Sequence, residues 1–344
     1  MKKTIWTACF LSLYLWGLEA ATREVTDMAG RRVRIPQTVN RVFTDRFISL
    51  MAFALDENML CNATFAVPEA GRKYISEAYC NKPLAETNEE EILKLRPDLI
   101  LLSFLDGDER ETANRLQDKL NIPVLLVRFE LSKYREAYAF LGQALNRMTS
   151  ANQIIAFLDR YIIPLNEQTK QIALRPSVYY AEGNRGLNTE AAASLHSQVI
   201  DYLHARNVAQ VQTGSIHGMA AVSIEQVLQW QPEAILVWSG FPAGMGLPES
   251  AKKELSTREY ILTDPVWQRL AAVRNKKVYQ VPALPFGWID RPPSVNSLFG
   301  VLWLAKQLYP EALSFDLNAA LKACFRLFYH VEVSEQDLAS MICT

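Results

Sequence analysis

A pattern that occurs twice in this sequence constrains its fold more than any other feature. Residues 90–103 (EEILKLRPDLILLS) and 225–239 (EQVLQWQPEAILVWS) share a glutamate, a leucine, a proline, an acidic residue and an Ile-Leu pair when Pro97 is aligned with Pro232. In each copy a short amphipathic helix must end before the proline, which has no N–H to donate, and an apolar strand follows. The repeat therefore predicts two similar α/β lobes.

A segment of different character separates the two copies. Between residues 133 and 174 the apolar residues recur at helical spacing, and no strand pattern interrupts them. We expect one long helix to join the lobes, with a kink or a restart at Pro164. A helical connection of this kind predicts only modest closure between the lobes. The predicted boundaries are a signal peptide at 1–21, an N-terminal α/β lobe at 22–132, a helical linker at 133–174 and a C-terminal α/β lobe at 175–344.

Short apolar runs alternate with helical patterns in both halves of the chain. This alternation is typical of α/β folds with mostly parallel sheets, here two Rossmann-like lobes, and such sheets bind ligands beyond the carboxyl ends of their strands. A ligand is therefore expected in a cleft between the lobes. Strands are predicted near residues 41–44, 59–65, 99–103, 123–129, 177–182, 234–239 and 277–283.

The first residues have the pattern of a secretion signal. Lys2 and Lys3 precede an uncharged, mostly apolar run at 4–18, and Ala20 and Ala21 provide small residues for cleavage. The run is shorter than the roughly 20 residues that a membrane-spanning helix needs. We expect a periplasmic protein from which the signal peptide is removed.

The overall charge excludes one class of partner. The chain of 344 residues has a formal net charge of -1 and no cluster of lysine and arginine. Nucleic-acid binding depends on such clusters, so no nucleic-acid partner is expected.

Cysteine usage is consistent with an oxidising compartment. Removal of the signal would leave Cys61, Cys80, Cys324 and Cys343, which form two pairs that are local in sequence. We predict disulfide bonds between Cys61 and Cys80 and between Cys324 and Cys343, with free buried thiols as the alternative. No C-x-x-C spacing or Cys/His cluster indicates a metal site, and no cofactor is expected.

The polar loops at the predicted strand ends supply the candidate ligand contacts. In the proline-rich loop 285–296 (PFGWIDRPPSVN), the guanidinium of Arg291 is suited to hold an anionic oxygen, although it could instead pair with Asp290 or a helix end. Arg46 suggests the same role from the other lobe, with solvation at the surface as the alternative. His196 lies at an expected helix start that Ser194 could cap, where free N–H groups favour an anion or a metal complex; a structural histidine is the alternative.

A second group of candidates follows the first strand of the C-terminal half. Glu182, Asn184 and Asn188 lie just beyond this strand, at the expected ligand cleft, although an ordinary polar turn would have a similar composition. Tyr180 and Trp288 are predicted to stack on a flat or chelated ligand. His217 is interpreted as structural or as part of the rim of the cleft.

Several segments together resemble a known family. The sequence is similar to the periplasmic substrate-binding proteins of ABC importers for ferric siderophores, haem, cobalamin and, in one subgroup, molybdate or tungstate. The segments that carry the resemblance are 22–42 (TREVTDMAGRRVRIPQTVNRV), the two proline-containing repeats, 186–209 (GLNTEAAASLHSQVIDYLHARNVA), 264–282 (DPVWQRLAAVRNKKVYQVP) and 291–310 (RPPSVNSLFGVLWLAKQLYP).

The resemblance implies a function and a set of partners. It implies capture of an iron-siderophore or related metal complex in the periplasm, or of a small oxyanion such as molybdate or tungstate, and delivery to an inner-membrane ABC permease and its ATPase. Relatives dock on the permease through one acidic residue of each lobe, which suggests Glu69 and Glu249 here. We expect a monomer.

A secreted hydrolase is the alternative class of protein. Acidic residues and the Ser194–His196 pair provide superficial candidates for catalysis, but two residues at that spacing do not face each other on a helix. The sequence contains no G-x-S-x-G, H-E-x-x-H, P-loop or G-x-G-x-x-G motif. The protein is therefore not expected to be an enzyme.

Overall fold

Two main sheets, one in each half of the chain, and a separate two-stranded hairpin form the described structure together with the helices around them. The computed structural model describes residues 21–105, 107–213, 219–238 and 256–342. The first sheet has the strand order β3-β4-β5 and is parallel throughout. The second has the order β11-β10-β6-β7-β9, with β8 also paired to β6, and only the pairings of β7 are antiparallel. The strands are β1 (Thr22–Thr26), β2 (Arg32–Pro36), β3 (Val42–Thr44), β4 (Leu99–Phe104), β5 (Val124–Arg128), β6 (Ser177–Glu182), β7 (Asn188–Glu190), β8 (Arg206–Asn207), β9 (Met219–Ala221), β10 (Ala234–Trp238) and β11 (Val278–Gln280).

Helices cover the sheets and connect them. The α-helices are α1 (Ser49–Leu55), α2 (Glu77–Cys80), α3 (Glu89–Leu95), α4 (Glu109–Leu120), α5 (Tyr134–Ala144), α6 (Met148–Phe157), α7 (Ile163–Gln171), α8 (Gln198–Tyr202), α9 (Ile224–Trp230), α10 (Thr257–Thr263), α11 (Ala271–Arg274), α12 (Asn296–Leu308), α13 (Leu317–Tyr329) and α14 (Glu335–Ile342). Within the part of the chain that the structure describes, none of these is long and apolar enough to cross a membrane. The predicted signal peptide lies, except for Ala21, outside the described residues.

The sequence repeat forms the same structure in both halves, which confirms the prediction of two related α/β units. Helix α3 leads into β4, and α9 leads into β10. Asn88 and Ser223 cap the two helices by accepting backbone N–H bonds. Both helices end at a residue in the left-handed conformation, Arg96 with φ of 49° and Gln231 with φ of 45°. In each copy this residue directly precedes the proline, so the chain turns from the helix into the strand at the same point.

The connection between the sheets differs from the single helix that we expected. Helix α5 ends at Ala144, and Asn146, with φ of 56°, turns the chain before α6 begins. From there α6, a π-helical turn at Leu158–Ile162 and α7 follow without interruption. Pro164 lies in the first turn of α7, directly after the π-helical turn, so the chain stays helical through this proline and the predicted restart does not occur. The helical periodicity alone did not reveal the turn at Asn146.

One predicted strand is absent and an unpredicted hairpin is present. Residues 59–65 make only isolated bridges, from Leu60 to Val42 and from Ala63 to Leu84, so the strand predicted there is wrong. Strands β1 and β2 pair as an antiparallel hairpin whose alternation of buried and exposed residues is clear in β2, where Val33 and Ile35 are buried.

The last two helices pack against the N-terminal part of the chain. His330 Nε2 lies 2.9 Å from the carbonyl oxygen of Phe53, and the backbone N–H of Ser76 donates to the carbonyl oxygen of Tyr329. Lys73 forms an ion pair with Asp337. Helix α13 packs against α1 as well as α12, and α14 reaches the first half through Asp337, so the end of the predicted C-terminal lobe at 175–344 also contacts the N-terminal half.

The cysteine prediction also needs correction. Cys61 and Cys80 are free thiols in this structure. Cys61 packs in the core around the first sheet, whereas Cys80 contacts the larger core that α1, α12 and α13 share, so the two side chains lie on different sides of the segment between them. Cys324 is a free, fully buried thiol on α13, and its predicted partner Cys343 lies outside the described residues.

Candidate ligand-binding site

The site residues come from three neighbouring segments of the C-terminal half. Glu182 is the last residue of β6, and Glu190 is the last residue of the adjacent strand β7. His196 lies in the loop between β7 and α8, and Asp290 and Arg291 lie in the loop between β11 and α12. We call these five residues the Arg291 cluster. As the carboxyl end of β6 is an edge of a parallel sheet, the cluster occupies the position where α/β proteins bind ligands.

The guanidinium of Arg291 is at the centre of this cluster. Its Nη2 donates to Glu182 Oε1 at 3.0 Å and to Glu190 Oε1 at 2.7 Å. Its Nη1 donates to Asp290 Oδ2 and also contacts His196 Nδ1. The predicted alternative, in which Arg291 pairs with Asp290, is thus what the structure shows, and two further carboxyl groups take part. Charge-assisted bonds of this kind are stronger than those between neutral groups.

A second layer of contacts orients the acidic residue of the loop. The hydroxyl of Tyr180 donates to Asp290 Oδ1 at 2.7 Å, and His196 Nδ1 lies 2.9 Å from Asp290 Oδ2. Tyr180 and Glu182 share one face of β6, because side chains alternate along a strand. The side chains of the three acidic residues are nearly fully buried, whereas Arg291 is 11% and His196 15% exposed. The cationic side of the cluster therefore lies nearer to solvent.

Burial controls the ionisation of the acidic groups. It raises the pKa of Glu182 to about 8; Asp290 and Glu190 add to this rise, and Arg291 opposes it. Burial also raises the pKa of Glu190, against the hydrogen bond from Arg291. For Arg291 burial acts in the opposite direction, but Asp290, Tyr180 and Glu182 hold its pKa above the usual value. The guanidinium thus stays charged while Glu182 carries a proton for much of the time near neutral pH.

Backbone contacts hold the proline-rich loop against α12. The loop contains cis bonds at Leu284–Pro285 and Arg291–Pro292, and the N–H of Gly287 donates to the carbonyl oxygen of Arg291 at 2.9 Å. Ser297 on α12 donates to the carbonyl oxygen of Ile289 at 2.8 Å. A Cβ atom at Gly300 would lie 2.2 Å from the carbonyl oxygen of Trp288, so only glycine permits this approach.

The two aromatic residues predicted to stack on a ligand do not reach one. Tyr180 and Trp288 are both 0% exposed. Trp288 donates from Nε1 to the carbonyl oxygen of Leu284 and packs against Phe299, so it anchors the loop. The aromatic residue that contacts the cluster is Trp238, whose ring centroid lies 4.8 Å from the Arg291 guanidinium carbon. The stacking predicted for Tyr180 and Trp288 is wrong because both rings are part of the core.

Three further candidates lie away from the Arg291 cluster. Arg46 is half exposed, forms an ion pair with Glu86 at 3.1 Å and lies over the ring of Phe65. It lines a separate cavity of about 270 Å³ in the N-terminal half. Asn184 and Asn188 are exposed in the turn and strand that follow β6. Both side chains are thus open to solvent, unlike the buried carboxyl group of Glu182.

The helix start predicted at Ser194 is displaced. Helix α8 begins at Gln198, and Ser197 is its N-cap residue without a capping side-chain bond. His196 therefore precedes the helix and belongs to the loop. Ser194 is buried, and its Oγ has no hydrogen-bond partner among the described residues. The other histidine considered, His217, lies outside the described residues.

A cavity between the two halves lies next to this loop. Its volume is about 450 Å³. Leu105, Gly107, Glu109 and Glu130 line it from the first half, and Ala193, Ser194, Leu195 and Gln198 line it from the second. Its position beside His196 is that of a ligand cleft between lobes.

Two members of the cluster were not predicted as ligand contacts. Glu190 follows the candidates Glu182 and Asn188 in sequence, but the antiparallel pairing of β7 with β6, which brings it back beside Glu182, has no clear local signal. Asp290 was identified only as a partner for Arg291. One ligand atom from each of Glu190, His196 and Asp290 lies within 4.8 Å of the others, a grouping suited to a metal ion that the sequence analysis did not anticipate.

Comparison with known proteins places this architecture among solute-binding proteins. The chain is 24% identical to the molybdate-binding protein MolA of Haemophilus influenzae, over 98% of this chain and 99% of that protein. The structure of an ABC transporter solute binding protein from Sulfurospirillum deleyianum matches with a TM-score of 0.82 and 28% identity, over 94% of this chain and 99% of the other. A periplasmic solute binding protein from Veillonella parvula shares the fold, with a TM-score of 0.70 and 20% identity over 94% and 97% of the two chains.

The matched family and the two structures are described as binding proteins. A family model described as "Periplasmic binding protein" matches residues 50–284, more than half of the chain. This range contains both copies of the repeat and the strands that position Glu182 and Glu190. The chain belongs to the periplasmic binding protein family.

Proposed function

We propose that this protein is the substrate-binding component of an ABC importer, which captures a metal-bearing small ligand in the periplasm and delivers it to the permease and its ATPase. The observation that supports this proposal best is the cavity of about 450 Å³ that both halves of the chain line beside the Arg291 cluster. Export of the protein by the signal peptide at 1–21 is part of the proposal, as are its monomeric state and its lack of catalytic activity.

The charges in the cluster favour a ligand with a positive centre. Three buried carboxyl groups surround one guanidinium, and Glu109 and Glu130 add acidic groups to the lining of the cavity. Even with Glu182 protonated and Glu130 paired with Arg128, acidic groups outnumber the guanidinium in the cluster, so a bare dianion is disfavoured there. An iron-siderophore or related metal complex is therefore the preferred ligand.

Molybdate or tungstate is the second candidate. The similarity to MolA, which extends over 98% of this chain, favours it. An oxyanion would have to draw the Arg291 guanidinium away from its carboxyl partners and use it as a donor. The two candidates thus predict different roles for the same side chain.

Titration of the mature protein with a ligand panel tests the function. Ferric siderophores, haem, cobalamin, molybdate and tungstate are added separately while tryptophan fluorescence is recorded, because Trp238 contacts Arg291. We expect saturable binding of one class and recovery of the ligand unchanged. The absence of any binding, together with hydrolysis or group transfer on a substrate, would contradict the proposal.

Docking on the permease is proposed to use Glu69 and Glu249. The side chain of Glu69 is 94% exposed, and Glu249 lies outside the described residues. Charges at the rim of an interface chiefly set orientation and association rate. Replacing both by arginine should stop uptake and leave ligand affinity in solution unchanged, whereas Glu311→Arg, at another exposed glutamate, should do neither. Uptake at the wild-type rate in the double variant would exclude these two residues.

A further inference from the structure

The Arg291 cluster contains a donor set typical of metal sites. Glu190, His196 and Asp290 offer one imidazole nitrogen and two carboxylate oxygens, mutually within 4.8 Å. Imidazole with carboxylate suits divalent ions such as Ni²⁺, Co²⁺ and Zn²⁺. All three residues come from the second half of the chain, at the ends of β7 and in two loops. Their relative positions therefore do not depend on how far the lobes close.

The guanidinium of Arg291 takes the place that a cation would take in this set. Its Nη1 contacts both His196 Nδ1 and Asp290 Oδ2, and its Nη2 lies 2.7 Å from Glu190 Oε1. The ring nitrogen of His196 thus faces the position that the guanidinium occupies, and an imidazole nitrogen can bind a metal when it carries no proton. One side chain thus brings positive charge to all three donors.

Buried acceptor atoms in the same groups remain unused. Among the described residues, Oε2 of Glu182 and Oε2 of Glu190 are buried without a hydrogen-bond partner, although each carboxyl group binds Arg291 through Oε1. Glu182 is 1% and Glu190 0% exposed. Buried polar atoms normally have partners, so two such atoms beside one donor set indicate a group that the cluster is built to receive.

Arg291 lies nearer to solvent than the three acidic residues that it contacts. Its side chain is 11% exposed, and its guanidinium lies against the ring of Trp238, which can stabilise a cation at its face. A short movement of the side chain toward the cleft would open the donor set. The cost of separating Arg291 from its partners would be offset by the charge of the entering cation.

We propose that Glu190, His196 and Asp290 bind a divalent metal cation, free or held in a complex with open coordination positions, and that Arg291 is the internal counter-ion that this cation displaces. This rests on the proposed capture function and narrows its ligand class. The role of Arg291 is then to keep the empty site electrically balanced. Arg291 then competes with the cation for the three donor groups and does not bind the transported ligand.

The inference is tested by whether replacement of Arg291 strengthens or weakens the binding of a divalent cation. NiCl₂, CoCl₂ and ZnCl₂ are titrated calorimetrically into tag-free protein, with molybdate in a parallel series. We expect the wild type to bind one Ni²⁺ per chain. His196→Gln and Asp290→Asn should bind Ni²⁺ at least about tenfold more weakly. Arg291→Gln should bind it about tenfold more tightly, because the competing charge is gone. Arg206→Gln, at an exposed arginine of the same half, should match the wild type.

Folding of the Arg291 variant is measured in the same series. Loss of the guanidinium should lower the unfolding temperature of Arg291→Gln, and Ni²⁺ should restore it by more than it raises that of the wild type. Arg291→Lys, which keeps a positive charge, should bind Ni²⁺ no more tightly than the wild type. Weaker metal binding in Arg291→Gln than in the wild type would overturn the inference.

The experiments can refute the metal site without refuting the proposed capture function. Binding of molybdate or a ferric siderophore by the wild type, without binding of any of the three cations in wild type or Arg291→Gln, would refute the metal site and leave the capture function standing. Loss of molybdate binding in Arg291→Gln would likewise assign Arg291 to an oxyanion and refute its role as a counter-ion. No binding of any ligand in either series would refute both.

Discussion

The hydroxyl of Tyr180 shows how much a single polar atom contributes in the buried part of the site. It donates to Asp290 Oδ1, and the side chain is 0% exposed. Without this bond a buried carboxylate oxygen would lose its donor, which costs more than the loss of the bond alone. The orientation of Asp290 toward Arg291 and His196 thus depends on a residue that the ligand does not touch.

Tyr180→Phe should lower the free energy of unfolding by about 1–3 kcal/mol, because it leaves Asp290 Oδ1 unsatisfied. Tyr138→Phe is the matched control: that ring is also 0% exposed, but its hydroxyl has no hydrogen-bond partner among the described residues. We expect Tyr138→Phe to be neutral or stabilising. Urea unfolding of both variants gives the comparison, and equal losses of stability would contradict this account.

A second prediction at the scale of single residues concerns the reactivity of the free thiol of Cys61. Burial raises the pKa of Cys61 to about 11, so at pH 8 only about one thiol in a thousand is a thiolate. We expect iodoacetamide to label Cys61 slowly in the native protein and rapidly in urea, both without reductant. Peptide mapping under non-reducing conditions is the check. A linked peptide containing Cys61 and Cys80 would show that the disulfide forms after all.

At the scale of elements, the two repeated units depend on an unusual residue at the end of each helix. Arg96 and Gln231 are in the left-handed conformation that glycine adopts most easily. The following prolines prevent the helices from continuing, so the side chains at these two positions bear the conformational cost. The side chain of Gln231 donates to the carbonyl oxygen of Leu228 at 2.7 Å, whereas no side-chain contact of Arg96 is described.

Arg96→Gly should therefore raise the free energy of unfolding by about 0.5–1 kcal/mol. Lys94→Gly, two residues earlier in the exposed last turn of α3, is the control and should lower it by up to about 1 kcal/mol. Thermal and urea unfolding of the two variants tests the difference in sign. A destabilised Arg96→Gly would mean that the left-handed conformation is not the controlling factor.

At the scale of the whole molecule, the return of α13 and α14 ties the end of the chain to its beginning. Asp337 accepts from Lys73 Nζ at 2.9 Å and from the hydroxyl of Tyr74 at 3.1 Å. The largest core cluster extends from Val33 to Met341 and so includes both halves. A shared core of this extent favours small movements of the lobes over wide opening.

The contacts of Asp337 make the stability of the protein depend on pH. Hydrogen bonds from Ser334 and Lys73 hold the pKa of Asp337 well below its usual range. A carboxyl group whose pKa is lower in the folded state stabilises the protein above its unfolded pKa of about 4, and this contribution is lost as the pH falls through the folded value. Asp337→Asn should lower the melting temperature at pH 7, and the gap to the wild type should narrow between about pH 4 and pH 2. Glu311→Gln, at an exposed glutamate, is the control for circular dichroism melts, and a gap independent of pH would contradict the assignment.

Local signals in the sequence were sufficient to predict the repeated units and most of the strands. The helix caps, the prolines at 97 and 232 and the apolar runs act over a few residues, so each can be recognised without knowledge of the rest of the chain. The strand-end rule also identified Glu182 and Arg291, and an expected helix start identified His196; the structure brings the three residues together.

Only the tertiary structure decided which partners these residues have. The pairing of β7 with β6 places Glu190 beside Glu182, and the packing of the proline-rich loop on α12 directs Asp290 at Arg291 and buries Trp288. Tertiary packing also separates Cys61 from Cys80 and returns α13 to the first half of the chain. Contacts between residues far apart in sequence depend on the shape of the whole core, which no short pattern encodes.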